Sequence, residues 1–312
     1  QLRDQGNVIL GVVGEDATLL KFKEQAQNVN GIQMNCICTQ DGKTKTVFEN
    51  AYNKFDDMLK NVDAVYVAVR PEERYDYISR SLNVGKHVIS ESPISLSKRQ
   101  TRELFELAAD KKLVLFDAIK TAYSLSYSRM ILLLKSGIIG DIRSIETTCT
   151  SLENLDWLKK TKYYSSFTGW GSTGVLPIFQ ILGRDYKNIT ISTLSCDGVN
   201  DAFTKVNFIY DNSLATVNVG VGVKAEGDMR ISGTKGYIYV PAPWWMSPFF
   251  EVKYEDSRNN KPYFYKNDDA GIQSELVHFI QCIKSAKTNY YISQDISESI
   301  SEIMDVYKNQ MK

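Results

Sequence analysis

Histidine is nearly absent from this chain. Its 312 residues include two, His87 and His278, so no histidine-rich metal site can be assembled. Cysteine is sparse and odd in number. Cys36, Cys38, Cys149, Cys196 and Cys282 sit mostly inside apolar runs, the usage of buried free thiols in a reducing compartment rather than of a disulfide framework. Cys36 and Cys38 alternate along a predicted strand, point to opposite faces and so do not share a metal. Neither sign of charge is in excess, with 37 Lys plus Arg against 37 Asp plus Glu. No global field therefore draws nucleic acid or an anionic membrane, and neither partner is expected. No apolar run approaches the roughly 20 residues that cross a bilayer, and the N-terminus carries no charged, apolar, small-residue signal pattern. The chain reads as cytoplasmic. It begins at Gln1 rather than at methionine, which suits a trimmed chain or one domain of a longer polypeptide.

Apolar residues make up 43% and charged residues 24% of the sequence, an ordinary globular composition with length enough for two domains. Residues 7 to about 120 alternate short apolar strands with helical segments, the α/β doubly wound pattern. Within it, Val62 to Val69 reads as a buried strand, Pro71 to Leu82 as a helix stopped by Gly85, and His87 to Ile89 as the next strand. This βαβ crossover sets the loop Glu91-Ser92-Pro93 at the carboxyl end of a parallel strand, where such folds bind ligands. From about residue 142 the texture changes to longer alternating strands, which predict an extended, mainly antiparallel sheet with one face covered. Helices near residues 272–285 and 293–311 close the chain, the latter expected to pack back on the first domain. The expected division is residues 1–121 and 122–312.

Three segments carry a resemblance to a known family: "VGKHVISESPISLS" (residues 84–97), "IKTAYSLSYSRMILLLKSGIIGDIRSI" (119–145) and "ELVHFIQCIKSAK" (275–287). The chain resembles the Gfo/Idh/MocA oxidoreductases from about residue 7 to about residue 310. The resemblance implies an N-terminal Rossmann domain, a C-terminal α/β domain with a large open sheet, and NAD or NADP as cofactor. It also implies a sugar, polyol or nucleotide-sugar substrate and a homo-dimer or homo-tetramer.

Set against that family, the binding positions are altered. In the first βα turn Gly14 holds the first glycine position, while Asp16 replaces the second and Leu19 the third. The carboxylates of Glu15 and Asp16 would repel a diphosphate, although Asp16 also suits the positive end of a helix. Where the family carries an acid for the adenosine ribose, Thr39 stands, with Asp41 two residues on. The usual Thr-Pro of the third strand becomes Val69-Arg70 and the usual His becomes Arg74. Arg70 and Arg74 are cations that either bind phosphate or carboxylate or lie on a solvated helix face.

The catalytic positions are altered as well. In the family's Glu-Lys-Pro, Glu91 and Pro93 remain while Ser92 takes the place of the lysine. The family's Asp and His, four apart on a helix, align with Gly169 and Thr173, and Pro177 adds an expected kink. Lys120, with Tyr123 three residues later, offers a substitute proton relay or a plain substrate anchor. Asp117 is the other titratable group in that segment and, as the expected end of a strand, also reads as a plain turn cap. Two aromatic clusters, Trp157, Tyr163, Tyr164, Phe167 and Trp170, and Trp244, Trp245, Phe249 and Phe250, suit either sugar stacking or a core or subunit interface. Trp170 and Thr173 join Lys120 and Tyr123 as expected substrate contacts. The expected activity is NAD(P)-dependent oxidation or reduction of a sugar-like ligand, and the alternative is a catalytically inactive binding or regulatory protein on the same scaffold.

Overall fold

A strand that is apolar on both faces needs cover on both, and the segment Ala64–Ala68, every residue of it buried, finds that cover at the centre of a parallel sheet. The computed structural model describes residues 6–14, 18–153, 165–266, 271–287 and 290–312. Its contacts divide the chain into two units, residues 1–120 with 272–305 and residues 121–271 with 306–312.

In the first unit Val8–Gly14 (β1), Ile32–Cys38 (β2), Asn50–Tyr52 (β3), Ala64–Ala68 (β4), His87–Ser90 (β5) and Leu115–Asp117 (β6) form one sheet in the order β3-β2-β1-β4-β5-β6. Every neighbouring pair is parallel. The strand read from Val62 to Val69 is shorter, and just before it Asp63 accepts the Ile9 N–H on its carboxylate at 2.9 Å while its own N–H donates to the Ile9 carbonyl at 2.9 Å. The helix read from Pro71 runs to Asn83, with proline at its first turn where no N–H is needed. The Lys98–Asp110 helix is started by Ser97, whose hydroxyl accepts from Gln100 N, and it buries Thr101, Leu104, Phe105 and Ala108 at helical spacing.

The expected boundary near residue 121 lies beside the division at Lys120, but residues 272–305 group with the first unit rather than with the second. The reason is apolar burial on the Rossmann side. The Ile272–Ser285 helix buries Leu276, Phe279 and Ile280, and Phe279 meets Phe116 edge-on at 5.1 Å. From the Gln294–Gln310 helix, Ser301 and Thr101 share a hydroxyl hydrogen bond at 2.7 Å, and Glu298 accepts from Arg102 at 2.7 Å.

The second unit holds Ile142–Ser151 (β7), Asn188–Cys196 (β8), Val199–Ile209 (β9), Leu214–Val221 (β10), Met229–Gly233 (β11), Tyr237–Val240 (β12), Phe249–Lys253 (β13) and Lys261–Phe264 (β14). They form an open sheet in the order β14-β13-β12-β11-β7-β10-β9-β8. The pairing is antiparallel except between β7 and β10, because the chain leaves β7 through a helix, re-enters at the far edge and meanders back. That helix, Ser166–Leu182, covers one face with Phe167, Val175, Leu176, Ile178 and Phe179. It lies close on the sheet at Gly174, where a Cβ would stand 2.6 Å from Val217 Cγ1. Pro177 sits inside the helix without ending it.

Of the five free cysteines, Cys36, Cys38, Cys149 and Cys282 are buried and Cys196 is exposed. Among the described residues no helix is long and apolar enough to cross a membrane.

Candidate functional site

The carboxyl ends of β1, β4, β5 and β6 bring the site residues of the first unit to one sheet edge. Gly14 closes β1 with φ +151°, and a Cβ there would lie 2.5 Å from the Ala68 carbonyl oxygen at the end of β4. Only glycine fits that crossing, and it leaves bare backbone at the place where a diphosphate approaches a Rossmann turn. Asp16 lies outside the described residues, as do Trp157, Tyr163 and Tyr164. Leu19, at the family's third glycine position, is fully buried in the core.

At the end of β2, Thr39 is buried and its Oγ1 accepts from Asp41 N at 3.1 Å. Asp41 turns back to cap the following Gly42–Lys45 turn, accepting from Lys43 N at 3.2 Å and Thr44 N at 3.3 Å. The Thr44 hydroxyl and these backbone donors hold its carboxyl below the usual range. The carboxylate that could have grasped a ribose is thus engaged locally, and Thr39 offers a single hydroxyl.

Arg70 is exposed at the start of the Pro71–Asn83 helix. Arg74 corrects the expectation of a surface or ligand-facing cation, since its side chain is 3% exposed. Its Nε donates to the Val69 carbonyl at 3.0 Å and its Nη1 to the Pro93 carbonyl at 3.0 Å. Its Nη2 lies 3.5 Å from Glu91 Oε2. The guanidinium fork stitches the loop after β4 to the loop after β5, because both present carbonyls that no strand neighbour satisfies. Val69, Glu91 and Pro93 are therefore shaped from within by Arg74.

Ser92 is half-buried beside this clamp. Behind it Asp117, the last residue of β6, is almost fully buried. The Ser297 hydroxyl donates to Asp117 Oδ2 at 2.8 Å, and Oδ1 is buried without a hydrogen-bond partner among the described residues. Burial pushes this carboxyl up to about 6, opposed by hydrogen bonds from Ser92 and Ser297 and by the charge of Arg74. Sequence alone leaves Asp117 as a titratable group or a turn cap, and nothing local marks Ser297. A carboxylate closing an apolar strand, "LFD", was the available signal, but a partner 180 residues away leaves no local trace.

Lys120 and Tyr123 open and close one 3₁₀ turn, where residues three apart are stacked on one side. Lys120 is half-buried with its ammonium 6.0 Å from the Phe22 ring centroid. Tyr123 is buried.

In the second unit Gly169, Trp170 and Thr173 share the Ser166–Leu182 helix and are half-buried. Trp170 Nε1 donates to Ser151 Oγ at 3.1 Å, and its ring lies 4.8 Å from that of Trp245. The start of this helix is over-determined. Ser165 forms a capping box with Thr168, and the buried Asp201 accepts from Phe167 N at 2.9 Å and from the Tyr307 hydroxyl at 2.7 Å. Of the second aromatic cluster, Trp244 and Phe250 are core residues, Trp244 Nε1 donating to the Thr148 carbonyl at 3.1 Å.

A six-stranded parallel sheet wound outward from β1, a glycine-only crossing after β1 and polar side chains gathered where its strands end give the first unit the doubly wound α/β architecture of the Rossmann type. Residues 9–118 match the GFO_IDH_MocA family model, described as an oxidoreductase family with an NAD-binding Rossmann fold. That match lies wholly within the first unit. The chain is similar to trans-1,2-dihydrobenzene-1,2-diol dehydrogenase of Xenopus tropicalis, 23% identical over 84% of this chain and 82% of that protein. A shorter stretch, 29% of this chain and 27% of the relative, is 32% identical to dTDP-3,4-didehydro-2,6-dideoxy-alpha-D-glucose 3-reductase of Actinomadura kijaniata. Among solved structures the fold is shared with KijD10, a 3-ketoreductase from Actinomadura kijaniata in complex with NADP and TDP-benzene. The TM-score there is 0.84 at 17% identity over 97% of both chains. It is shared also with UDP-N-acetylglucosamine 3-dehydrogenase from Acidithiobacillus ferrooxidans, with a TM-score of 0.80 at 13% identity over 96% of this chain and 95% of that one.

Proposed function

We propose that this chain is an NAD- or NADP-dependent oxidoreductase that interconverts a secondary alcohol and a ketone on a sugar or nucleotide-sugar. The observation that carries the reading is the carboxyl edge of the parallel sheet, with bare backbone at Gly14 and the Arg74-clamped loop Glu91-Ser92-Pro93. The names of the relatives, a diol dehydrogenase, a nucleotide-sugar ketoreductase and a nucleotide-sugar dehydrogenase, support the substrate class.

In this reading Gly14 lets the diphosphate approach the backbone, Thr39 gives one hydrogen bond to the adenosine ribose, and Arg70 meets phosphate from the rim. Val69, Glu91, Ser92 and Pro93 line the route toward the nicotinamide. The bound dinucleotide supplies hydride transfer; the chain binds, orients and handles the proton. Lys120 and Tyr123 are the proposed substrate contacts of the 3₁₀ turn, with Trp170 and Thr173 as further ones. The open sheet carries Leu194, Ile209 and Leu214 as exposed apolar residues, and we propose that a second copy of the chain covers them, in a reducing cytoplasm suited to free thiols.

The test is calorimetric titration with NAD, NADH, NADP and NADPH, followed by a screen of sugars and nucleotide-sugars for a change in nicotinamide absorbance. Micromolar binding, about −8 kcal/mol, with turnover supports the reading. Ser92 at the family's lysine position favours a second reading, a ligand-binding protein without turnover, and binding with no hydride transfer on any substrate would select it.

A further inference from the structure

The usual lysine of this site moves a proton, and a lone serine hydroxyl has neither a charge nor a titration near neutrality to do so. The serine here is not alone. Two residues before it, Ser90 of β5 is in register with Asp117 at the end of β6, which brings Ser92 within reach of the Asp117 carboxylate and lets it hold that proton affinity down. Ser92 is half-buried at the sheet edge while Asp117 is closed off behind it. Of the two Asp117 oxygens, Oδ2 accepts from Ser297 at 2.8 Å and Oδ1 has no partner among the described residues. A buried carboxylate with an oxygen left over is poised to take a proton.

We propose that Ser92 and Asp117 together replace the missing lysine, with Ser92 touching the substrate hydroxyl and Asp117 taking the proton through it. The proposal rests on the oxidoreductase reading above. As the carbinol C–H bond breaks, its hydride passes to an oxidised nicotinamide. The substrate O–H proton moves to Ser92 Oγ, and the proton of Ser92 moves to Asp117. The products are ketone, reduced nicotinamide and a protonated carboxyl, so two electrons and two hydrogens are accounted for. Reduction runs the same path backwards. Ser92 is the catalytic contact and Asp117 acts through it.

The environment suits a group that changes protonation within the working range. Burial raises the carboxyl to about 6, near neutrality yet still ionised there. The charged group acting on it is Arg74, already paired with Glu91, while the Gln294–Gln310 helix turns neutral Ser297 toward it and keeps Glu298 on Arg102. Ser92, Ser297 and Arg74 oppose the effect of burial on Asp117, so removing Ser92 alone changes one of these contributions and leaves the others in place.

The experiment uses the full chain, with and without nucleotide. Infrared difference spectra across a pH titration follow the protonated carboxyl band, assigned by its loss in Asp117→Asn. We expect it to titrate near pH 6 and to move upward in Ser92→Ala, which loses a hydrogen bond to the carboxylate. Calorimetry should find nucleotide affinity in Asp117→Asn within about threefold of the parent, and a cooperative thermal transition certifies the fold of both variants. Turnover should fall by about 100-fold or more, and the acid limb of the kcat/KM profile should vanish in Asp117→Asn. A carboxyl band unmoved by Ser92→Ala, or an Asp117→Asn variant that keeps its rate and pH profile, overturns the relay even in an active enzyme. A band that moves in a protein that oxidises nothing upholds the coupled pair and overturns the oxidoreductase reading instead.

Discussion

The two sheets of this chain dispose of their polar side chains in opposite ways. In the parallel sheet the inner strands are buried on both faces, as in β4, so polar chemistry is confined to where strands end: Arg74, Ser92 and Asp117 all lie at the carboxyl edge. In the open sheet burial alternates along β9, and the outer face carries its polar pairs in solvent, such as Thr216 with Asn207 at 2.9 Å and Arg230 with Glu146 at 3.3 Å. The difference is one of dielectric. Charges at the closed edge are costly to leave unmatched and shift their proton affinities, whereas those on the open face are screened and contribute little.

The sharpest way to break that contrast is Arg74→Met, which removes the clamp and leaves the Val69 and Pro93 carbonyls and the Glu91 carboxylate without their donor. Denaturant unfolding should show a loss of about 3–5 kcal/mol. Next in size is the Asp117 carboxyl. Its folded value of about 6 lies above the ordinary value near 3.9 of an unfolded chain, so the folded state binds its proton more tightly. Its contribution to stability is complete below about pH 4 and is lost as pH rises through about 6, about 3 kcal/mol in all. Unfolding midpoints at pH 4.5 and pH 8 should therefore differ less in Asp117→Asn than in the parent chain.

In the second unit Gly174→Ala sets a Cβ 2.6 Å from Val217 Cγ1 and should lower the thermal midpoint by the equivalent of about 1–3 kcal/mol. The smallest effect belongs to the open face. Arg230→Ala, which breaks the half-exposed pair with Glu146, should cost less than about 1 kcal/mol and respond to salt. A cost as large as that of Arg74→Met would erase the distinction between edge and face.

The order of elements was legible because local signals are strong where strands are wholly apolar and helices are punctuated. Pro71, Gly85 and Ser97 mark helix limits by chemistry that acts within a turn, and the closing helices at Ile272–Ser285 and Gln294–Gln310 fall within a residue or so of the ranges read from periodicity. The direction of Arg74 was not legible. An arginine on an acidic helix face looks solvated until the loops after β4 and β5 present carbonyls to it, and those loops meet only when β4 and β5 pair.

By itself the sequence determined the α/β winding and the change of texture into a second sheet, since each rests on residues close in the chain or on the pattern of the whole. Only the tertiary structure decided that residues 272–305 group with the first unit, that β7 and β10 run parallel, and that half-buried Ser92 meets buried Asp117 and Ser297 at one strand end. Proton affinity and ion pairing depend on distance and burial. Both are set by segments far apart in sequence that share an apolar core.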